Sequence, residues 1–109
     1  MAAGVSEDEF RRAVELVAKG PAPGKGKPAA ASNDQKLAFY ALFKQATDGP
    51  CAASAPSRLQ MVARAKWTAW NDLGKLSKAD ARARYVAEVA KLYPNWRTLR
   101  PAAPAASKL

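Results

Sequence analysis

The chain has no histidine among its 109 residues and a single cysteine, Cys51. The first lack removes the commonest general base and the commonest metal ligand together. The second excludes an internal disulfide and any pair of cysteines at zinc-ligand spacing, which fits a reducing compartment. No run approaches the ~18 apolar residues that a membrane span needs. The stretch from Met1 to Asp8 lacks a basic region followed by an apolar one, so no secretory leader is expected. No segment alternates apolar and polar residues convincingly, so strands are not expected either. A Ser-containing elbow is also lacking, and Cys51 sits in a Pro/Ala/Ser-rich stretch. With no nucleophile and base to pair, an enzyme is not expected, nor is a metal or a cofactor.

Positive charge is abundant. Eighteen Lys and Arg face nine Asp and Glu, a formal +9, which calls for an anionic partner: nucleic acid, an acidic membrane surface or a phosphorylated small molecule. The length suits one domain. From Glu7 to about Lys19, Phe10, Ala13, Val14 and Val17 recur at helical steps behind an acidic first turn. Gly20 to about Ser32 mixes helix breakers with lysines and reads as a basic loop. Asn33 or Asp34 can cap a second helix through Thr47, carrying Leu37, Phe39, Tyr40, Phe43 and Ala46. Pro56-Ser57 opens a third, with Leu59, Val62, Ala63, Lys66, Trp67 and Trp70, before Gly74. Ser77 and Asp80 have capping-box spacing ahead of a fourth, from about Lys78 to Leu92, which Pro94 ends. The expectation is an all-α domain of four helices over residues 1–94, then an extended tail over 95–109.

Tyr40 and Lys44 stand four apart on the second helix with Phe43 adjacent, setting an aromatic surface beside a flexible cation. Lys66 repeats the combination on the third helix, next to Trp67 and four before Trp70. Such pairs suit a nucleotide: a ring can stack on a base and an ammonium can bond a phosphate. Core packing of the rings, with the lysines reaching out to water, is the plainer reading of each pair alone.

Read together, Phe39-Tyr40-Ala-Leu-Phe-Lys-Gln-Ala-Thr47-Asp-Gly49, Ala65-Lys-Trp-Thr-Ala-Trp-Asn71 and Ser77-Lys-Ala-Asp-Ala-Arg-Ala-Arg-Tyr85 resemble the acyl-CoA-binding protein family, from about Phe10 to Tyr93. The resemblance implies an up-down-down-up four-helix bundle that binds medium- to long-chain fatty acyl-CoA with high affinity and carries it unchanged, as a monomer serving acyl-CoA-using enzymes. It assigns ligand contacts to Tyr40, Phe43, Lys44, Lys66 and Tyr85, with Lys19 and Phe39 as further candidates. Lys44 and Lys66 would neutralise the 3′-phosphate, and Tyr40 and Tyr85 would frame the adenine and ribose. The chain departs from the family where Phe43 replaces a frequent tyrosine, Ala18 and Val62 replace frequent basic residues, and the loop after Gly20 is longer.

Ser107-Lys108-Leu109 reads as a peroxisomal address held out by a Pro/Ala spacer. The expectation is binding to the import receptor and a location in a peroxisome or a related organelle such as a glycosome, otherwise the cytoplasm. A nucleic-acid partner is not expected, because the charge is spread over the loop, the fourth helix and the C-terminal segment rather than gathered in one groove. Membrane association through the basic faces stays open.

Overall fold

The computed structural model describes residues 5–20 and 31–98, which form four α-helices and a short 3-10 helix. These are α1 Glu7–Lys19, α2 Asn33–Asp48, α3 Met61–Asn71, α4 Lys78–Leu92 and the 3-10 helix Trp96–Thr98. No strand occurs among the described residues. Most of the expected basic loop lies outside them, as do residues 99–109 with Ser107, Lys108 and Leu109.

Serine starts three of the helices. Ser6 Oγ accepts from the Glu9 N–H at 3.1 Å while the Glu9 carboxylate accepts from the Ser6 N–H at 3.2 Å. Ser32 and Gln35 repeat this box at α2 with 3.1 and 3.0 Å, each bond satisfying a donor that a helix start leaves open. Ser32, not Asn33 or Asp34, is therefore the cap of α2. Ser32 combines an extended backbone (φ −68°, ψ 166°; φ −69°, ψ 162° at its counterpart Ser6) with the three-residue spacing to Gln35. Ser77 Oγ caps α4 by accepting from the Asp80 N–H at 3.0 Å.

The third helix begins later than Pro56-Ser57. Ser57 closes a turn instead: its hydroxyl accepts from the Leu59 N–H at 3.1 Å and its carbonyl from the Gln60 N–H at 3.0 Å. Helical bonding starts only at Met61. Leu59 and Val62, expected on an apolar face, consequently remain 92% and 70% exposed, with Met61 at 77%.

The bundle is of the up-down-down-up kind, in which α2 packs along α4 and α3, and α1 rests on α4. Phe10, Leu16, Phe39, Leu42, Val86 and Val89 fill the core. Tyr85 lies between Phe10 and Phe39, at 5.3 Å edge-on and 5.1 Å tilted. The core does not stop at Pro94: Trp96, from the expected tail, is buried in it. Arg97 then pairs with Glu9, and Arg12 donates to the Arg97 carbonyl at 2.8 Å, fastening this last turn to α1. Gln45 is fully buried and donates through Nε2 to the carbonyls of Gly74 and Leu76, at 3.0 and 2.8 Å. It holds the α3–α4 connection against α2, where Gly74 turns at φ 60°. α3 itself buries no residue fully and leans on α2 from one side. That one-sided packing leaves an open groove between the two helices.

Candidate functional site

Asn33, Lys36, Leu37, Tyr40 and Lys44 recur at three- and four-residue steps along α2 and so share a side. α3 faces that side with Met61, Val62, Lys66, Trp67 and Trp70. Lys66 Nζ stands 5.4 Å from the centre of the Tyr40 ring, and Lys44 Nζ stands 5.1 Å from that of Trp70. Each cation is thus within reach of an aromatic face on the opposite helix. Both indoles are fixed from behind, since Trp70 Nε1 donates to the Gly49 carbonyl at 3.0 Å and Trp67 Nε1 to the Ala53 carbonyl at 2.8 Å. Arg64 donates to the Pro56 carbonyl at 2.9 Å, holding the same loop.

These residues enclose a cavity of about 240 Å³ lined by Tyr40, Ala53, Pro56, Lys66, Trp67 and Trp70. A second hollow of about 410 Å³ adjoins it through Lys66 and is lined by Leu37, Met61, Val62 and Ala65, with Lys36 and Asn33 at its edge. Rings and cations at one end and aliphatic side chains at the other give a groove of two characters. The first end suits a phosphorylated aromatic group and the second an alkyl chain.

Lys44 also meets Asp48 one turn on, Nζ to Oδ2 at 2.7 Å. The hydrogen bond from that carboxylate holds Lys44 above its ordinary pKa, and the same bond holds Asp48 below the usual carboxylate range.

Of the residues singled out in the sequence, Tyr40, Lys44 and Lys66 come together here. Phe43 does not join them. It stacks on Phe10 at 6.3 Å and lines a separate cavity of about 420 Å³ with Val14, Ala46 and Thr47, ringed by Arg11, Lys78 and Arg82. Tyr85 is 3% exposed inside the core, and burial raises the pKa of its phenol; Phe39 is buried beside it. Lys19 sits at the end of α1, 3.8 Å from Glu15. The sequence reading passed over Trp67 and Trp70 as site residues, although their spacing from Lys66 carried the signal. Among the described residues no group of three Cys, Asp or Glu could hold a metal ion, and no helix is long and apolar enough to cross a membrane.

Residues 7–89 match the protein family described as Acyl CoA binding protein. Among curated proteins, acyl-CoA-binding domain-containing protein 4 of Oryza sativa subsp. japonica is 42% identical over 90 residues, covering 83% of this chain and 26% of that protein. Acyl-CoA-binding domain-containing protein 1 of Arabidopsis thaliana is 49% identical over 65 residues, covering 60% of this chain and 19% of its own length. The chain therefore spans about a quarter or less of these relatives. Among solved structures, the acyl-CoA-binding protein of Moniliophthora perniciosa superposes with a TM-score of 0.74 at 32% identity, covering 88% of each chain. That of Babesia bovis gives 0.69 at 39% identity, covering 86% of this chain and all (100%) of the other.

Proposed function

The chain belongs to the acyl-CoA-binding protein family, and from that premise we propose that it holds a long-chain fatty acyl-CoA in the α2–α3 groove and carries it without chemical change. The observation that supports this most directly is the junction at Lys66, where the ring-and-cation cavity meets the aliphatic hollow. The nucleotide end belongs at Tyr40, Lys44, Lys66 and Trp70. There a base can stack on a ring for roughly 1 to 3 kcal/mol and two ammonium groups can bond the 3′-phosphate. The acyl chain belongs along Leu37, Met61, Val62 and Ala65, where the exposed Met61 and Val62 give it apolar surface to cover. Burying about fourteen methylenes at ~0.8 kcal/mol each yields on the order of 11 kcal/mol before ordering costs, enough for tight binding. The groove offers cations and rings but no paired nucleophile and base, which suits a carrier rather than a thioesterase.

Calorimetric titration with palmitoyl-CoA, myristoyl-CoA, free CoA and palmitate tests the reading. The expected result is tight 1:1 binding of the two acyl-CoAs, with palmitate and free CoA far weaker. Lys44→Ala, Lys66→Ala and Tyr40→Ala should each weaken palmitoyl-CoA roughly tenfold with the fold intact. Equal affinity for palmitate and palmitoyl-CoA would sink the proposal.

A further inference from the structure

We infer that Asp48 is an internal competitor for the ligand's phosphate: its carboxylate holds Lys44, and the phosphate binds by taking that ammonium from it. The inference rests on the acyl-CoA reading and adds a residue that sets how tightly the nucleotide end is held.

The geometry is specific. Lys44 Nζ is 2.7 Å from Asp48 Oδ2 and 5.1 Å from the ring centre of Trp70, which lines the cavity together with Tyr40 and Lys66. The two side chains are 30% and 50% exposed, so an incoming anion can reach the pair. Lys66 is differently placed: among the described residues it forms no ion pair and lies over Tyr40. One of the two phosphate-binding lysines is thus open and the other engaged.

Asp48 is not left alone when Lys44 leaves it. The side chain of Lys78, at the start of α4, passes beside Gly49, with Cε 3.6 Å from where a Cβ on that glycine would stand. Its charge already acts on the Asp48 carboxylate. The carboxylate can therefore exchange one lysine for another as the ligand enters.

A phosphate monoester brings up to two negative charges and three acceptor oxygens, and so out-competes one carboxylate. The pair it displaces is an exposed helical one of the weak class, so Asp48 tunes affinity without blocking the site.

The test compares the full chain with Asp48→Asn, titrated with palmitoyl-CoA and with palmitoyl-3′-dephospho-CoA. Asp72→Asn, which removes the same charge at the C-terminal cap of α3, beside a different hollow, is the control. The expected result is a two- to fivefold tighter Kd for palmitoyl-CoA in Asp48→Asn, shrinking as salt is raised. The dephospho ligand and the Asp72→Asn chain should show no such gain. Unchanged or weaker palmitoyl-CoA binding by Asp48→Asn overturns the inference, as does equal tightening of both ligands. If the unmodified chain binds no acyl-CoA, the underlying reading fails, and that outcome is distinct because it appears before any variant is compared.

Discussion

Tyr85 shows how one residue type can be read two ways. The resemblance assigns it a ligand contact, whereas the fold seals it at 3% exposure between Phe10 and Phe39. These placements separate by experiment. Tyr85→Ala removes a core ring and should cost about 3–5 kcal/mol in urea denaturation. Tyr85→Phe keeps the ring, should lose little stability, and should bind palmitoyl-CoA as the unmodified chain does; a tenfold loss there would restore the hydroxyl to the site. Gln45 poses the opposite case, because a polar residue in a binding string invites a functional role. Its amide instead bonds the carbonyls of Gly74 and Leu76 in full burial. Gln45→Ala should therefore destabilise by about 1–3 kcal/mol, measured the same way. Tyr40, Lys44 and Lys66 were legible as ring-and-cation pairs because helical spacing alone sets them on one side. The partition of Phe43, Phe39 and Tyr85 was not legible, since only the packing of α1 and α4 decides which aromatic rings face inward.

Helix extents were readable where local chemistry and periodicity agreed, as at α1 and α4. They slipped where local rules competed. Asn33 and Asp34 are good caps by type, but the box formed with Gln35 reaches back to Ser32. Pro56-Ser57 looks like a helix start, yet Ser57 spends its hydroxyl and carbonyl closing a turn to Leu59 and Gln60. The cap assignment makes a direct prediction. Ser32→Ala should lower stability by about 1 kcal/mol, while Asn33→Ala, inside the first turn, should change it by a few tenths at most. Thermal and urea unfolding of the two variants side by side decide it. The late start of α3 has a functional consequence as well, for it leaves Met61 and Val62 free to line the groove rather than the core. Trp96 went unread because a single aromatic after a helix-ending proline carries no period; its burial reflects the tie of Arg97 to Glu9 and Arg12.

Across the whole molecule, the lack of histidine governs pH behaviour. Glu9 and Asp48 have carboxyls held below their ordinary range, Glu9 first by its hydrogen bond from Arg97 and Asp48 first by that from Lys44. Folded pKa values below unfolded ones mean stability that is fully present above the unfolded carboxylate values of about 4 and is lost as pH falls through the folded ones. The acid limb of stability should accordingly be shallower in Glu9→Gln. Binding titrates elsewhere. Lys44 is held above its ordinary value, so it stays charged through neutrality, and no imidazole is present to switch. The group that changes charge in that window is the ligand's phosphate, whose second proton leaves near pH ~6. Affinity for palmitoyl-CoA should then fall as pH drops from 7 to 5, because protonation takes one charge from the anion that Lys44 and Lys66 are proposed to hold. Palmitoyl-3′-dephospho-CoA should bind more weakly at pH 7 and with nearly constant affinity over the same range. A parallel fall for both ligands would move the pH dependence from the phosphate to the protein and would displace Lys44 and Lys66 from the phosphate.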